Sequence, residues 1–89
     1  MYERFIPNQT ILDQFERIEN TSIDEIRENT NKDTAVDLRD RFYAFAYLNE
    51  MGIDEMVSIT GRTRPNFYHS YHKPRFKEYL KKYRQSEQR

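Results

Sequence analysis

The stretch Ile53-Asp-Glu-Met-Val-Ser-Ile-Thr-Gly61-Arg-Thr-Arg-Pro-Asn-Phe67-Tyr-His-Ser70 decides how the chain reads. Residues 53–60 are too few to stand as a helix alone. Gly61 interrupts them with the one residue that takes a positive φ without steric cost. Thr63 is then placed to cap a second helix, and Pro65 falls in its first turn, where a missing N–H is not needed. The pattern predicts helix, tight turn, helix. Two helices joined this closely need a small-to-medium residue at their crossing, which is Val57, and apolar side chains to lock them, which are Met56 and Phe67. Thr60 and Ser70 are polar at positions such a pair buries.

Downstream, Pro74 restarts a last helix with Phe76, Tyr79, Leu80 and Tyr83 at i, i+3, i+4 and i+7. That stripe reads as core or dimer seam. The opposite face carries Arg75, Lys77, Glu78, Lys81, Lys82 and Arg84. Upstream, Leu38, Phe42, Phe45 and Ala46 make one stripe, and Val36, Tyr43 and Tyr47 a second. A helix apolar nearly all round from 42 to 48 is expected at the centre of a bundle. Its start is placed at Thr34, with Asp37 three residues on, after a turn at Asn29-Thr30-Asn31-Lys32-Asp33. Its end is placed at Gly52, as a left-handed cap after Met51.

Nearer the start, Ile11, Leu12, Phe15 and Ile18 follow helical spacing, so a helix is expected from about residue 8 or 10 to Glu19. Ser22-Ile-Asp-Glu25 is a capping-box pattern that opens a short helix over roughly 23–29. With two glycines, and no proline between Pro7 and Pro65, the prediction is all-α: a small bundle of five to six helices in a single domain, 1–89. Within it, 1–33 reads as an acidic helical hairpin and 34–89 as the turn-containing core with a basic last helix. Ile11, Phe15, Ile18, Ile23 and Ile26 are assigned to dimerisation or to completing the core.

Eighty-nine residues without cysteine exclude disulfide frameworks, Cys-based zinc sites and thiol nucleophiles. The zero net charge conceals an asymmetry. Residues 1–56 hold six basic and 13 acidic side chains, a net −7, whereas 57–89 hold nine basic and two acidic, a net +7. No phosphate-binding glycine loop or catalytic constellation is present, so no enzyme and no cofactor are expected. His69 and His72 lie three apart with no third metal ligand indicated, so no metal site is expected. The crowded carboxylates Asp24, Glu25, Glu28, Asp37 and Asp40 are read as helix-start residues that favour the dipole. No run of 18 apolar residues occurs, and a cytoplasmic protein with no membrane association is expected.

The run Gly61-Arg-Thr-Arg-Pro-Asn-Phe-Tyr-His69-Ser-Tyr-His-Lys73 resembles DNA-binding helix-turn-helix proteins of the Trp-repressor-like superfamily, especially the C-terminal domain of the replication initiator DnaA. It departs from them at Arg62, where an apolar residue is common, at polar Thr60 and Ser70, and in a first helix one residue short. The resemblance implies a second helix in the major groove, burying Phe67, Ser70 and Tyr71 and projecting Arg64, Asn66, Tyr68, His69, His72 and Lys73. Arg64 suits guanine and Asn66 suits adenine as bidentate partners. Arg62, Lys73, Arg75, Lys77, Lys81 and Lys82 are cast as phosphate contacts, with Thr63 at the helix start beside them. The expected function is sequence-specific double-stranded DNA binding as a transcriptional regulator, acting as a homodimer or higher homo-oligomer. The alternative is a protein–protein adaptor, or a self-assembling component of a phage or plasmid replication, partition or packaging complex, with acidic face against basic face.

Overall fold

The computed structural model describes residues 8–28 and 32–87. Among them the chain is all-α, with six helices: α1 (Asn8–Glu19), α2 (Ile23–Ile26), α3 (Asp33–Leu48), α4 (Ile53–Thr60), α5 (Arg64–Tyr71) and α6 (Pro74–Glu87). The expected turn at Asn29-Thr30-Asn31 and the start of the acidic hairpin at 1–7 lie outside the described residues.

The apolar run of α3 makes it the hub. Phe42, Tyr43, Ala44, Phe45 and Ala46 are all buried, so every face of the helix at this level meets another element. It packs against α1, α2, α4, α5 and α6, most extensively against α6. Phe15 from α1 and Tyr83 from α6 meet Phe45 at ring centroid separations of 5.7 and 5.4 Å. Phe76 and Tyr83 are buried, with Tyr79 and Leu80 half-buried beside them, so the α6 stripe is core. Ile11, Phe15 and Ile26 are also core, whereas Ile18 is 48% exposed.

Helix boundaries follow local chemistry where that chemistry is self-contained. Ser22 accepts from the Glu25 amide while the Glu25 carboxylate accepts from the Ser22 amide, the reciprocal capping box. α2 nonetheless ends at Ile26, three residues earlier than the pattern predicts, with Arg27 as its cap. α3 begins at Asp33 rather than at a Thr34 cap: the Lys32 carbonyl accepts from the Val36 amide at 2.9 Å, and Asp33 lies in the first turn, where its charge favours the dipole.

The end of α3 also departs from expectation. Gly52 has an ordinary φ of −67° and caps the start of α4. The left-handed residue is Glu50, at φ 62°. Met51 N–H donates to the Ala46 carbonyl at 3.0 Å and Glu50 N–H to the Tyr47 carbonyl at 3.1 Å, the paired bonds of a Schellman motif. Burial of Met51 fixes this register, because the residue after the left-handed position must turn back onto the helix it has left. Asn20 (φ 53°) closes α1 in the same way, with Thr21 N–H donating to the Glu16 carbonyl at 3.0 Å.

Candidate nucleic-acid interface

α4 and α5 are joined by a three-residue turn at 61–63. Gly61 adopts φ 74° and ψ 22°, and Arg62 N–H donates to the Val57 carbonyl at 3.0 Å, so the chain reverses immediately after α4. Met56 and Phe67 are buried across this turn and Val57 half-buried, as the spacing predicts. Pro65 lies in the first turn of α5. Thr63 takes the extended cap conformation, φ −119°, but its hydroxyl makes no capping bond.

The two polar residues at buried positions are satisfied by α3. Thr60 and Tyr43 hydroxyls lie 3.1 Å apart, and Tyr43 O–H donates to Asn66 Oδ1 at 2.7 Å. Burial pushes the Tyr43 hydroxyl pKa up, which keeps it a donor. Ser70 O–H donates at 2.6 Å to Asp40 Oδ1, whose side chain is 4% exposed. The same carboxylate's Oδ2 receives Lys73 Nζ at 3.0 Å and the Arg75 guanidinium at 2.5 and 2.8 Å. A buried carboxylate costs several kcal/mol unless paired and hydrogen-bonded, and here three donors from the α5–α6 junction meet it. Asp40 therefore ties the end of α5 and the start of α6 to α3.

These contacts sort the sequence-nominated residues. Thr63, Arg64, Tyr68, His69, His72, Lys77 and Lys81 are exposed, and Arg62, Asn66, Lys73 and Arg75 are half-buried. Asn66 faces inward to Tyr43 instead of projecting outward. Lys73 and Arg75 are engaged by Asp40, and Arg75 also lies 3.5 Å from Asp37. Arg62 donates at 2.9 Å to the Glu28 carbonyl, which Arg39 also reaches at 3.0 Å. Burial, and then the neighbouring Arg62 charge, hold the Arg39 pKa below its ordinary value. Arg64 makes a two-pronged contact with Asp54 Oδ1 at 2.7 and 2.9 Å, both side chains being well over half exposed. Such a pair is worth about 0–1 kcal/mol and opens easily. His69 and His72 join no group of three metal-ligating side chains among the described residues.

Tyr71, expected in the core, lies on the surface at 39% exposure. Phe67 and Ser70 take the inward positions of α5, and Tyr71 lies about 40° from Phe67 on the side away from Ser70, at the edge of the buried face. The Tyr71 ring stacks on Phe67 from outside, at 5.9 Å and 30°.

α6 carries its charge on two flanks of the buried Phe76–Tyr83 line. Arg75, Tyr79 and Lys82 lie on one flank, paired with acidic residues. Tyr79 O–H donates to Asp37, and Lys82 lies 3.4 Å from Glu19. Glu19 also receives Tyr83 O–H at 2.5 Å and Arg41 at 2.9 Å. Burial would raise the Glu19 pKa, but these two hydrogen bonds and the nearby Lys82 charge hold it below its usual value. The other flank bears Lys77, Lys81 and Arg84 at i, i+4 and i+7, which make no ion pair among the described residues. The acidic and basic segments of the sequence are thus folded against each other along one flank, and residual positive charge is concentrated on the other.

Two residues at this site read otherwise in the sequence: Asp40, expected at a helix start, lies buried in the middle of α3, seven residues after Asp33, and Tyr43 is expected only as core. The signal for Asp40 was present: a carboxylate beside a helical run apolar on all sides. Among the described residues no helix is long and apolar enough to cross a membrane. Set against known protein families, curated proteins and solved structures, the chain matches none of them.

Proposed function

We propose that the chain is a sequence-specific double-stranded DNA-binding protein and a regulator of transcription, with α4, the Gly61 turn and α5 serving as a helix-turn-helix. The observation that carries this reading is a helix pair closed by a left-handed glycine and braced on α3, whose second helix leaves Arg64, Tyr68, His69 and His72 exposed. The resemblance of residues 61–73 to the Trp-repressor-like superfamily supports the same reading. Under it, Arg64 leaves Asp54 to pair with a base edge, and Lys77 and Lys81 contact phosphates. Lys73, Arg75 and Asn66 position α5 rather than touch DNA. A short helix reads too few base pairs to act alone, so a homodimer on paired half-sites is proposed with it.

Charge pairing within the chain argues against the head-to-tail adaptor. Asp37, Asp40 and Glu19 are already met by Arg75, Lys73 and Lys82, which lowers the opposite charge left for successive copies. The test is electrophoretic mobility shift on random-sequence duplex DNA at about 50 and 200 mM salt, where a steep loss between the two is expected. Absence of a shift at the lower salt refutes the proposal.

A further inference from the structure

The described residues expose four large hydrophobic side chains, Ile18, Tyr47, Tyr68 and Tyr71, and the three tyrosines form one patch. Tyr47 lies 5.8 Å from Tyr71 between ring centroids, and both pack on Phe67, as does Tyr68. Tyr47 and Tyr71 also lie against Phe76, at 6.0 and 5.3 Å. Phe67 and Phe76 are buried, so they form a rigid floor beneath the exposed rings. Tyr71 lies within 30° of parallel to Phe67 and is 39% exposed.

On α5 and α6 the patch is flanked by basic and neutral side chains. Arg64, Tyr68 and Tyr71 fall at i, i+4 and i+7 on the exposed face of α5. The His72 ring adjoins Tyr71 at 5.4 Å, and Lys77 follows Phe76 on α6. Asp40 is buried under Lys73 and Arg75, and Arg64 is paired with Asp54 on α4 in a surface contact that it must leave to meet a phosphate; Glu50, after the end of α3, and Glu78, on α6, are exposed. Exposed tyrosines also serve protein interfaces, and it is the basic side chains of α5 and α6 beside these rings that favour a nucleic acid. Aromatic rings on a fixed floor beside positive charge suit the π-faces and phosphates of unpaired nucleotides.

We infer that Tyr47, Tyr68 and Tyr71 form a stacking platform for single-stranded nucleic acid. Bases lie on the tyrosine rings, and Arg64 and Lys77 meet the backbone. This inference does not depend on duplex recognition by α5, so either can fail without the other.

The test is fluorescence anisotropy with labelled oligothymidine of about 12 nucleotides at about 50 mM salt, with a 12-base-pair random duplex measured in parallel. Intrinsic tyrosine emission supplies a second readout, because the chain has seven tyrosines and no tryptophan. Stacking on a ring is lost in Tyr71→Leu and Tyr68→Leu, and each is expected to weaken oligothymidine binding about fivefold or more, while Tyr71→Phe stays within about twofold of the original. Tyrosine quenching on binding is expected in the original chain. Circular dichroism melts identify any variant whose loss is one of folding, and Tyr71→Phe keeps the comparison valid if Tyr71→Leu unfolds. Oligothymidine binding unchanged in the leucine variants, or no oligothymidine binding by the original chain, overturns the inference. So does a change of oligomeric state in the leucine variants with oligothymidine affinity intact, which assigns the patch to a protein partner. Duplex binding without oligothymidine binding overturns the platform alone, and the reverse result overturns the proposed function alone.

Discussion

Replacing Asp40 by alanine removes the acceptor that joins α3 to the α5–α6 junction. Ser70 is 2% exposed, and its hydroxyl loses the carboxylate it donates to, which costs about 1–3 kcal/mol. Lys73 and Arg75 are 23% and 37% exposed, so their charged ends can turn to water, and each loses about 0.5–1 kcal/mol after solvent screening. Together these give a loss of about 2–5 kcal/mol, or a fall in melting temperature of roughly 8–40 °C for a domain of this size. Thermal and urea unfolding followed by circular dichroism measure it, with exposed Asp13→Asn as the control expected within about 0.5 kcal/mol. The decisive comparison is the double variant Asp40→Ala with Ser70→Ala. Removing both partners leaves no orphaned hydroxyl, so the double variant is expected to lose about 1–2 kcal/mol less than the sum of the singles. Additive losses, or a loss under about 1 kcal/mol for Asp40→Ala, would refute the buried carboxylate as the brace of α5.

Glu50→Gly removes a side chain from a left-handed position whose register Met51 holds, and a gain of about 0.5–1 kcal/mol is expected in the urea midpoint. The Glu19 carboxyl has a native pKa below its ordinary 4.5, so its stabilisation is present above that value and is lost as pH falls through the lowered native pKa. Tyr83 has the opposite sign: burial and then Glu19 raise its pKa, so its contribution is complete below its ordinary value of 10.0 and declines on the alkaline side. Glu19→Gln is accordingly expected to flatten the acid limb of the stability–pH profile, measured by urea unfolding across pH. In the DNA assay, Arg64→Ala is expected to lose about 1–3 kcal/mol on the preferred duplex and little on random duplex, whereas Lys81→Ala weakens both alike.

What was legible in the sequence is what neighbouring residues decide among themselves. The Ser22–Glu25 capping box, the Gly61 turn and the α6 stripe each depend on residues within a few positions of one another, and each stands where the spacing puts it. The all-round apolar character of 42–48 likewise identified the hub. The end of α3 is expected at Gly52 because glycine takes the left-handed conformation without cost, whereas burial of Met51 sets the left-handed residue two positions earlier, at Glu50. Asn66, Lys73 and Arg75 were read as DNA contacts because their types and helical positions suit that work. Their partners, Tyr43 and Asp40, are 23 to 35 residues away, and only folding brings them together. Tyr71 is expected inward because the resemblance implies it together with Phe67 and Ser70, but those two already fill the inward positions of a two-turn helix and Tyr71 lies at the surface.

Sequence-specific duplex recognition by the exposed face of α5 is tested most directly by selecting bound duplexes from a random DNA pool, with the original chain and Arg64→Ala run in parallel. The original chain is expected to enrich one short motif, with two half-sites about 10 base pairs apart if it acts as the proposed dimer, and Arg64→Ala to lose preference at one base of each half-site. Enrichment of no motif, or the same motif with and without the Arg64 side chain, would contradict it.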